Sequence, residues 1–173
     1  MTPITLTLAL AFGAAGSPLS TVAERSGFRQ TGRYSEVLRL CGEFARAHSA
    51  RVRCSTFGTT PEGRPMKVLV VSEDGALTPE SARRRGRPVL LAIGGIHAGE
   101  IDGKDAGFLL ARELLQRAIP GNLLRQVTFV FVPVFNVDGH ERFGPGPHHR
   151  PNQRGPEETG WRTTGQNLNL NRD

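Results

Sequence analysis

The chain has 173 residues, enough for one domain with a real core, and its 38% hydrophobic and 22% charged content excludes a disordered chain. Its formal net charge of +6 comes almost wholly from arginine, since Lys67 and Lys104 are the only lysines. The arginines are dispersed and aromatics are few, so nucleic acid is not an expected partner; the one cluster, Arg83-Arg84-Arg85-Gly86-Arg87, reads as a solvated loop.

In chain order, Ile4 to Ala15 is an apolar run followed by small residues around Gly13-Ala14-Ala15-Gly16-Ser17. It has the form of a secretory signal without the usual positive segment before it. Residues 1–20 are therefore expected to be a signal peptide or apolar leader, and the protein to be secreted or periplasmic. If the run is not a signal, the protein is cytoplasmic. No later run is long enough to span a membrane stably. Cys41 and Cys54 are the only cysteines, and their pairing is left open.

Tyr34 to Ala47 reads as an amphipathic helix, with Val37, Leu38, Leu40, Cys41 and Phe44 on its buried side. Val52 to Thr59 and Met66 to Ser72 form a hairpin around the turn Pro61-Glu62-Gly63-Arg64-Pro65. Val89 to Ile93 is almost entirely apolar, which predicts a strand buried on both faces in the middle of a sheet. Ala106 to Ala118 is a second helix, presenting Phe108, Leu109, Leu110, Leu114 and Leu115 to the core. Val127 to Phe135 is another strand, with Pro133 marking an irregular end. Asn136-Val137-Asp138-Gly139 is a turn, and a long polar stretch rich in Gly, Pro, His and Arg follows it. The pattern is α/β: a mixed sheet flanked by helices, with its site at the strand ends.

Two constellations carry chemistry. His97 and Glu100, in Gly94-Gly95-Ile96-His97-Ala98-Gly99-Glu100, place an imidazole and a carboxylate three residues apart where the apolar strand ends. Zinc takes such ligands, although this spacing alone is a weak signal. Downstream, Trp161-Arg162 and Asn169-Leu170-Asn171-Arg172 suit recognition of a carboxylate or a polarised carbonyl. His140, His148 and His149 read as solvated loop histidines, and Glu141, Glu157 and Glu158 as surface charge.

Taken in order from about residue 30, these motifs resemble the zinc metallocarboxypeptidases of the M14 type, the carboxypeptidase A-like superfamily. The resemblance implies that His97 and Glu100 are the first two zinc ligands and that Arg162 stabilises the oxyanion as water adds. It implies that Asn171 and Arg172 grip the free carboxylate of a peptide's C-terminal residue. Bound zinc would bring the pKa of its water to about 7. The family's third ligand, a histidine, and its general-base glutamate lie beyond the motifs seen here. Residues 21–173 are thus expected to be the N-terminal part of a truncated catalytic domain, inactive alone. Val137 replaces a proline of the family's turn. Asn169 stands where many members carry an aspartate, the expected partner of the first histidine. Two other readings stay open: a related zinc deacylase or amidase acting on N-acyl amino acids or cell-wall peptides, and a non-catalytic carboxylate- or peptide-binding remnant.

Overall fold

Thr21 opens the first short helix, α1 (Val22–Arg25), with a reciprocal cap: its hydroxyl accepts from Glu24 N at 3.1 Å, and the Glu24 carboxylate accepts from Thr21 N at 3.0 Å. The computed structural model describes residues 17–118, 121–151 and 154–173, so the apolar run from Ile4 to Ala15 lies outside the described residues.

Helix α2 (Tyr34–Ala47) forms as its periodicity predicts, burying Val37, Leu40, Cys41 and Phe44. Leu38, expected on the same side, falls on the flank and is exposed. Strands β1 (Val52–Thr59) and β2 (Pro65–Val71) make the expected antiparallel hairpin, with a register shift between Thr56 and Gly58. A disulfide joins Cys41 on α2 to Cys54 on β1, closing the question the sequence left open.

The arginine cluster is solvated, as expected, but only part of it is a loop. Arg83 and Arg84 end a short helix, α3 (Pro79–Arg84), and Arg85 and Arg87 reach back to Asp74 at 3.3 and 3.0 Å. Burial pushes the Asp74 carboxyl up, but Ser72 and the two guanidinium groups prevail and bring it down to about 2.

Strand β3 (Val89–Ile93) corrects a second expectation. The sheet order is β1-β2-β4-β3, and β4 (Thr128–Val132) lies inside the sheet, antiparallel to β2 and parallel to β3. β3 is therefore an edge strand, and Val89, Leu90, Leu91 and Ile93 are 57, 44, 55 and 42% exposed. The apolar run was a correct sign of strand, but the crossover returns β4 to the inside of the pair. Among the described residues no strand pairs with the outer side of β3.

That crossover contains α4 (Asp102–Leu115), which starts a turn earlier than its apolar residues suggest. Phe108, Ala111, Leu114 and Leu115 are buried on it, while Leu110 is partly exposed. Gly107 lies flush on the sheet: a Cβ there would come within 2.1 Å of the Phe131 ring. Phe108 joins the two layers, stacking on Phe44 at 5.9 Å and meeting Phe131 edge-on at 5.5 Å. With Leu69, Val71 and Phe129, these residues form the core between one sheet face and helices α2 and α4.

Beneath the start of α4 lies a buried charge cluster. The Lys104 ammonium is fully buried and donates to Glu36 Oε2 at 3.0 Å and to Asp105 Oδ1 at 2.7 Å. The Thr31 hydroxyl donates to the second Asp105 oxygen at 2.7 Å, and Val22 N to the second Glu36 oxygen at 2.5 Å. Burial nevertheless holds the Asp105 carboxyl above the usual range, against the pull of Lys104.

The polar stretch after β4 is folded rather than structureless. Asn136 caps a short helix, α5 (Val137–Glu141), so the expected turn is the first turn of a helix. β5 (Gly144–Pro145) pairs antiparallel with β6 (Glu158–Thr159), and α6 (Gly146–His149) lies between them. No helix among the described residues is long and apolar enough to cross a membrane.

Candidate metal centre and active site

Two glycines carry the chain off β3. At Gly94 a Cβ would sit 2.5 Å from Pro133 O, and Gly95 has a left-handed φ of +58°, so this sharp exit beside β4 suits glycine. Phe135 N and Asn136 N then donate to Gly94 O and Gly95 O, each at 2.9 Å, pinning the loop. His97 emerges from it only 4% exposed.

The His97 ring has two distinct edges. Its Nε2 lies 3.1 Å from both Leu170 O and Asn171 Oδ1, two acceptors, which places the ring proton on Nε2. Its Nδ1 lies 3.2 Å from Glu100 Oε1. In the neutral ring Nδ1 is then the free lone pair, the atom through which a histidine can bind a metal ion. Two donors on one tetrahedral zinc, with bonds of about 2.05 Å, stand about 3.3 Å apart. The pair therefore fits two corners of a zinc shell. Among the described residues no group of three His, Cys, Asp or Glu could hold a metal ion.

The histidine's partner corrects the expectation for Asn169. Asn171 has a φ of +59°, which turns the chain back and brings its own amide and the Leu170 carbonyl to the ring. Asn169 Oδ1 is buried without a hydrogen-bond partner. Arg172, expected to grip substrate beside Asn171, is exposed and donates to Asn171 O at 3.0 Å and to Asn171 Oδ1.

Arg162 is brought to Glu100 by the turn at Asn136. The Asn136 side chain accepts from Gly139 N at 3.0 Å and donates to Arg162 O at 3.1 Å, while Trp161 N donates to Gly139 O at 2.8 Å. A Cβ at Gly139 would collide with Thr163 O at 2.3 Å, so glycine lets the two segments meet. Arg162 Nη1 then stands 3.5 Å from Glu100 Oε1. The hairpin turn is tied to the same frame: Asp138 accepts from Thr60 Oγ1 at 2.7 Å and Arg64 Nη1 at 2.6 Å. Glu100 also meets Arg150, at 2.7 Å. Burial pushes the Glu100 carboxyl up, but the Arg150 guanidinium leads the opposing contacts, so it stays below the usual range and ionised.

The loop histidines differ from one another. His140 is 1% exposed, corrected from a solvated residue, with Nε2 donating to Gly32 O at 3.2 Å. Burial, joined by the charge of Lys104, pushes it down to about 4. His149 is partly buried, packing edge-on against Trp161 at 5.0 Å and donating to Thr159 O at 2.9 Å. Only His148 is exposed as expected. Of the three glutamates, Glu157 and Glu158 are at the surface, while Glu141 accepts from Tyr34 N at 2.8 Å.

The M14 family of zinc carboxypeptidases matches residues 37–173, which include both halves of this site. The chain belongs to that family. Solved structures agree on the carboxypeptidase-like fold. Carboxypeptidase A from Helicoverpa armigera is 23% identical, over 65% of this chain and 26% of its own, with a TM-score of 0.55. Bovine thrombin-activatable fibrinolysis inhibitor, solved in complex with tick carboxypeptidase inhibitor, is 20% identical over 80% of this chain and 38% of its own, with a TM-score of 0.56. A metallo-carboxypeptidase from Burkholderia cenocepacia is 25% identical over 77% and 31%, at 0.52. The chain thus spans well under half the length of each of these carboxypeptidases. No curated protein sequence matches it.

Proposed function

We propose that this chain carries the first half of a zinc metallocarboxypeptidase site that removes residues from the free carboxyl end of peptides. The observation that carries the reading is the His97 Nδ1–Glu100 Oε1 separation of 3.2 Å, with the ring proton committed to Nε2. His97 and Glu100 are two ligands of a zinc ion, which when bound supplies Lewis-acid polarisation of water and of a carbonyl group. Arg162 is close enough to meet negative charge developing on the scissile carbonyl oxygen, a role worth roughly 3–4 kcal/mol where such donors have been removed. Asn171 and Arg172 hold the substrate's terminal carboxylate, which requires Arg172 to swing from its resting contact on Asn171. Since no third His, Cys, Asp or Glu joins the pair among the described residues, the chain by itself is inactive in this reading.

Export is part of the proposal. The apolar run at Ile4 to Ala15 and the Cys41–Cys54 disulfide both support a secreted or periplasmic location, where disulfides persist.

Metal content by mass spectrometry, with hydrolysis assays on peptides and N-acyl amino acids, tests the reading. Zinc below one equivalent, reduced further in His97→Ala, and no turnover are expected. Zinc content indifferent to His97→Ala sinks the site. Chelator-sensitive release of C-terminal residues by this chain would refute its inactivity, and cleavage confined to N-acyl amino acids would replace the peptidase with a deacylase.

A further inference from the structure

Arg150 occupies a place that no motif announced. It follows α6, held by its own N–H to Gly146 O at 2.7 Å, and its side chain is only 15% exposed. The β5–β6 pair and the His149–Trp161 contact anchor the segment on which it sits. Its aliphatic stem crosses directly over Gly99: a Cβ at that position would lie 3.1 Å from both Arg150 Cγ and Cδ. Beyond the glycine, Arg150 Nη1 donates to Glu100 Oε1 at 2.7 Å, a closer approach than that of Arg162. The small residue between His97 and Glu100 is thus the channel through which a distant arginine reaches the carboxylate.

Glu100 needs such a hold. Its side chain is 44% exposed, whereas that of His97 is 5% exposed and held at Nε2 by Leu170 O and Asn171 Oδ1. Without an anchor, a half-exposed glutamate samples several rotamers and faces His97 only part of the time. Arg150, Arg162 and His97 Nδ1 all address the same oxygen, Oε1, Arg150 most closely, and no described residue hydrogen-bonds to Oε2.

We propose that Arg150 is a positioning residue for Glu100, holding the carboxylate against His97 so that both donors are presented to one metal ion. The inference rests on the metal-site reading above. It makes a prediction opposite in sign to simple electrostatics. A nearby cation repels a divalent ion, so repulsion alone has removal of Arg150 tighten binding; positioning has removal weaken it.

Cobalt(II) titration of the full chain, followed by d–d absorption and by competition with zinc(II), decides the matter. Arg150→Ala is expected to weaken binding about ten- to a hundred-fold, the usual range for lost supporting contacts, and to alter the cobalt spectrum with the circular dichroism unchanged. Arg150→Lys restores part of the affinity, because an ammonium supplies charge without the planar fork. Gly99→Ala, which blocks the stem while leaving Arg150 in the chain, weakens binding in the same direction. Equal or tighter metal binding by folded Arg150→Ala or Gly99→Ala overturns the proposal. Wild-type affinity no better than that of Glu100→Gln instead refutes the metal site, and this inference with it.

Discussion

Replacing Lys104 by methionine keeps the length of the side chain and removes its charge. Two carboxylates, Glu36 and Asp105, with side chains 5 and 8% exposed, then lose the ammonium that neutralises both. Breaking a buried ion pair from one side costs about 3–5 kcal/mol. In a chain of this size that is a fall in melting temperature of about 6–20 °C. The loss has a pH signature. Asp105 already titrates above its usual range in the folded protein, and without Lys104 it moves further up. A folded-state pKa raised above the unfolded one stabilises at low pH and loses that contribution as pH rises through the folded value. The deficit of Lys104→Met is therefore larger at pH 7.5 than at pH 5. Urea denaturation followed by circular dichroism at both values measures it, and adding Glu36→Gln and Asp105→Asn should recover part of the loss. A deficit below about 1 kcal/mol, or one no larger at pH 7.5 than at pH 5, would show that the cluster does not bear this burden.

Reducing the Cys41–Cys54 disulfide, which closes a loop of sequence separation 13, should cost about 3 kcal/mol, read as a lower denaturation midpoint in dithiothreitol. The Cys41→Ala/Cys54→Ala variant should match the reduced protein and be indifferent to the reductant. His140 titrates near 6.5 when unfolded and about 4 when folded, so its contribution is intact above 6.5 and lost as pH falls toward 4, about 3 kcal/mol in all. His140→Phe should flatten that portion of the stability–pH curve, and an unchanged slope would show that other groups set it.

What the sequence disclosed was local. The spacing of His97 and Glu100, the helix at Tyr34–Ala47 and the hairpin around Glu62-Gly63-Arg64-Pro65 are each written in contiguous residues, and the structure has them in place. What stayed hidden depends on long-range pairing or on a single backbone angle. Nothing in Val89–Ile93 says that β4 will return between it and the hairpin, because the apolar run reports burial and not sheet order. The beginning of α4 was concealed because Asp102, Lys104 and Asp105 look like a polar loop until Glu36, 68 residues before Lys104, completes the cluster. Asn169 and Asn171 are alike in composition, and only the left-handed turn at Asn171 selects the one that reaches His97. Arg150 lies 50 residues from Glu100, in a stretch whose Gly and Pro content suggested no order.

Trp161, the chain's one tryptophan, is 41% exposed, precedes Arg162 and rests edge-on against His149. This places a natural fluorophore at the rim of the candidate centre. A change in its emission reports directly on Arg162 and the segment bearing Arg150, with no other indole to dilute the signal. Metal or ligand capture can therefore be followed by the protein's own light, without a label and without waiting for turnover.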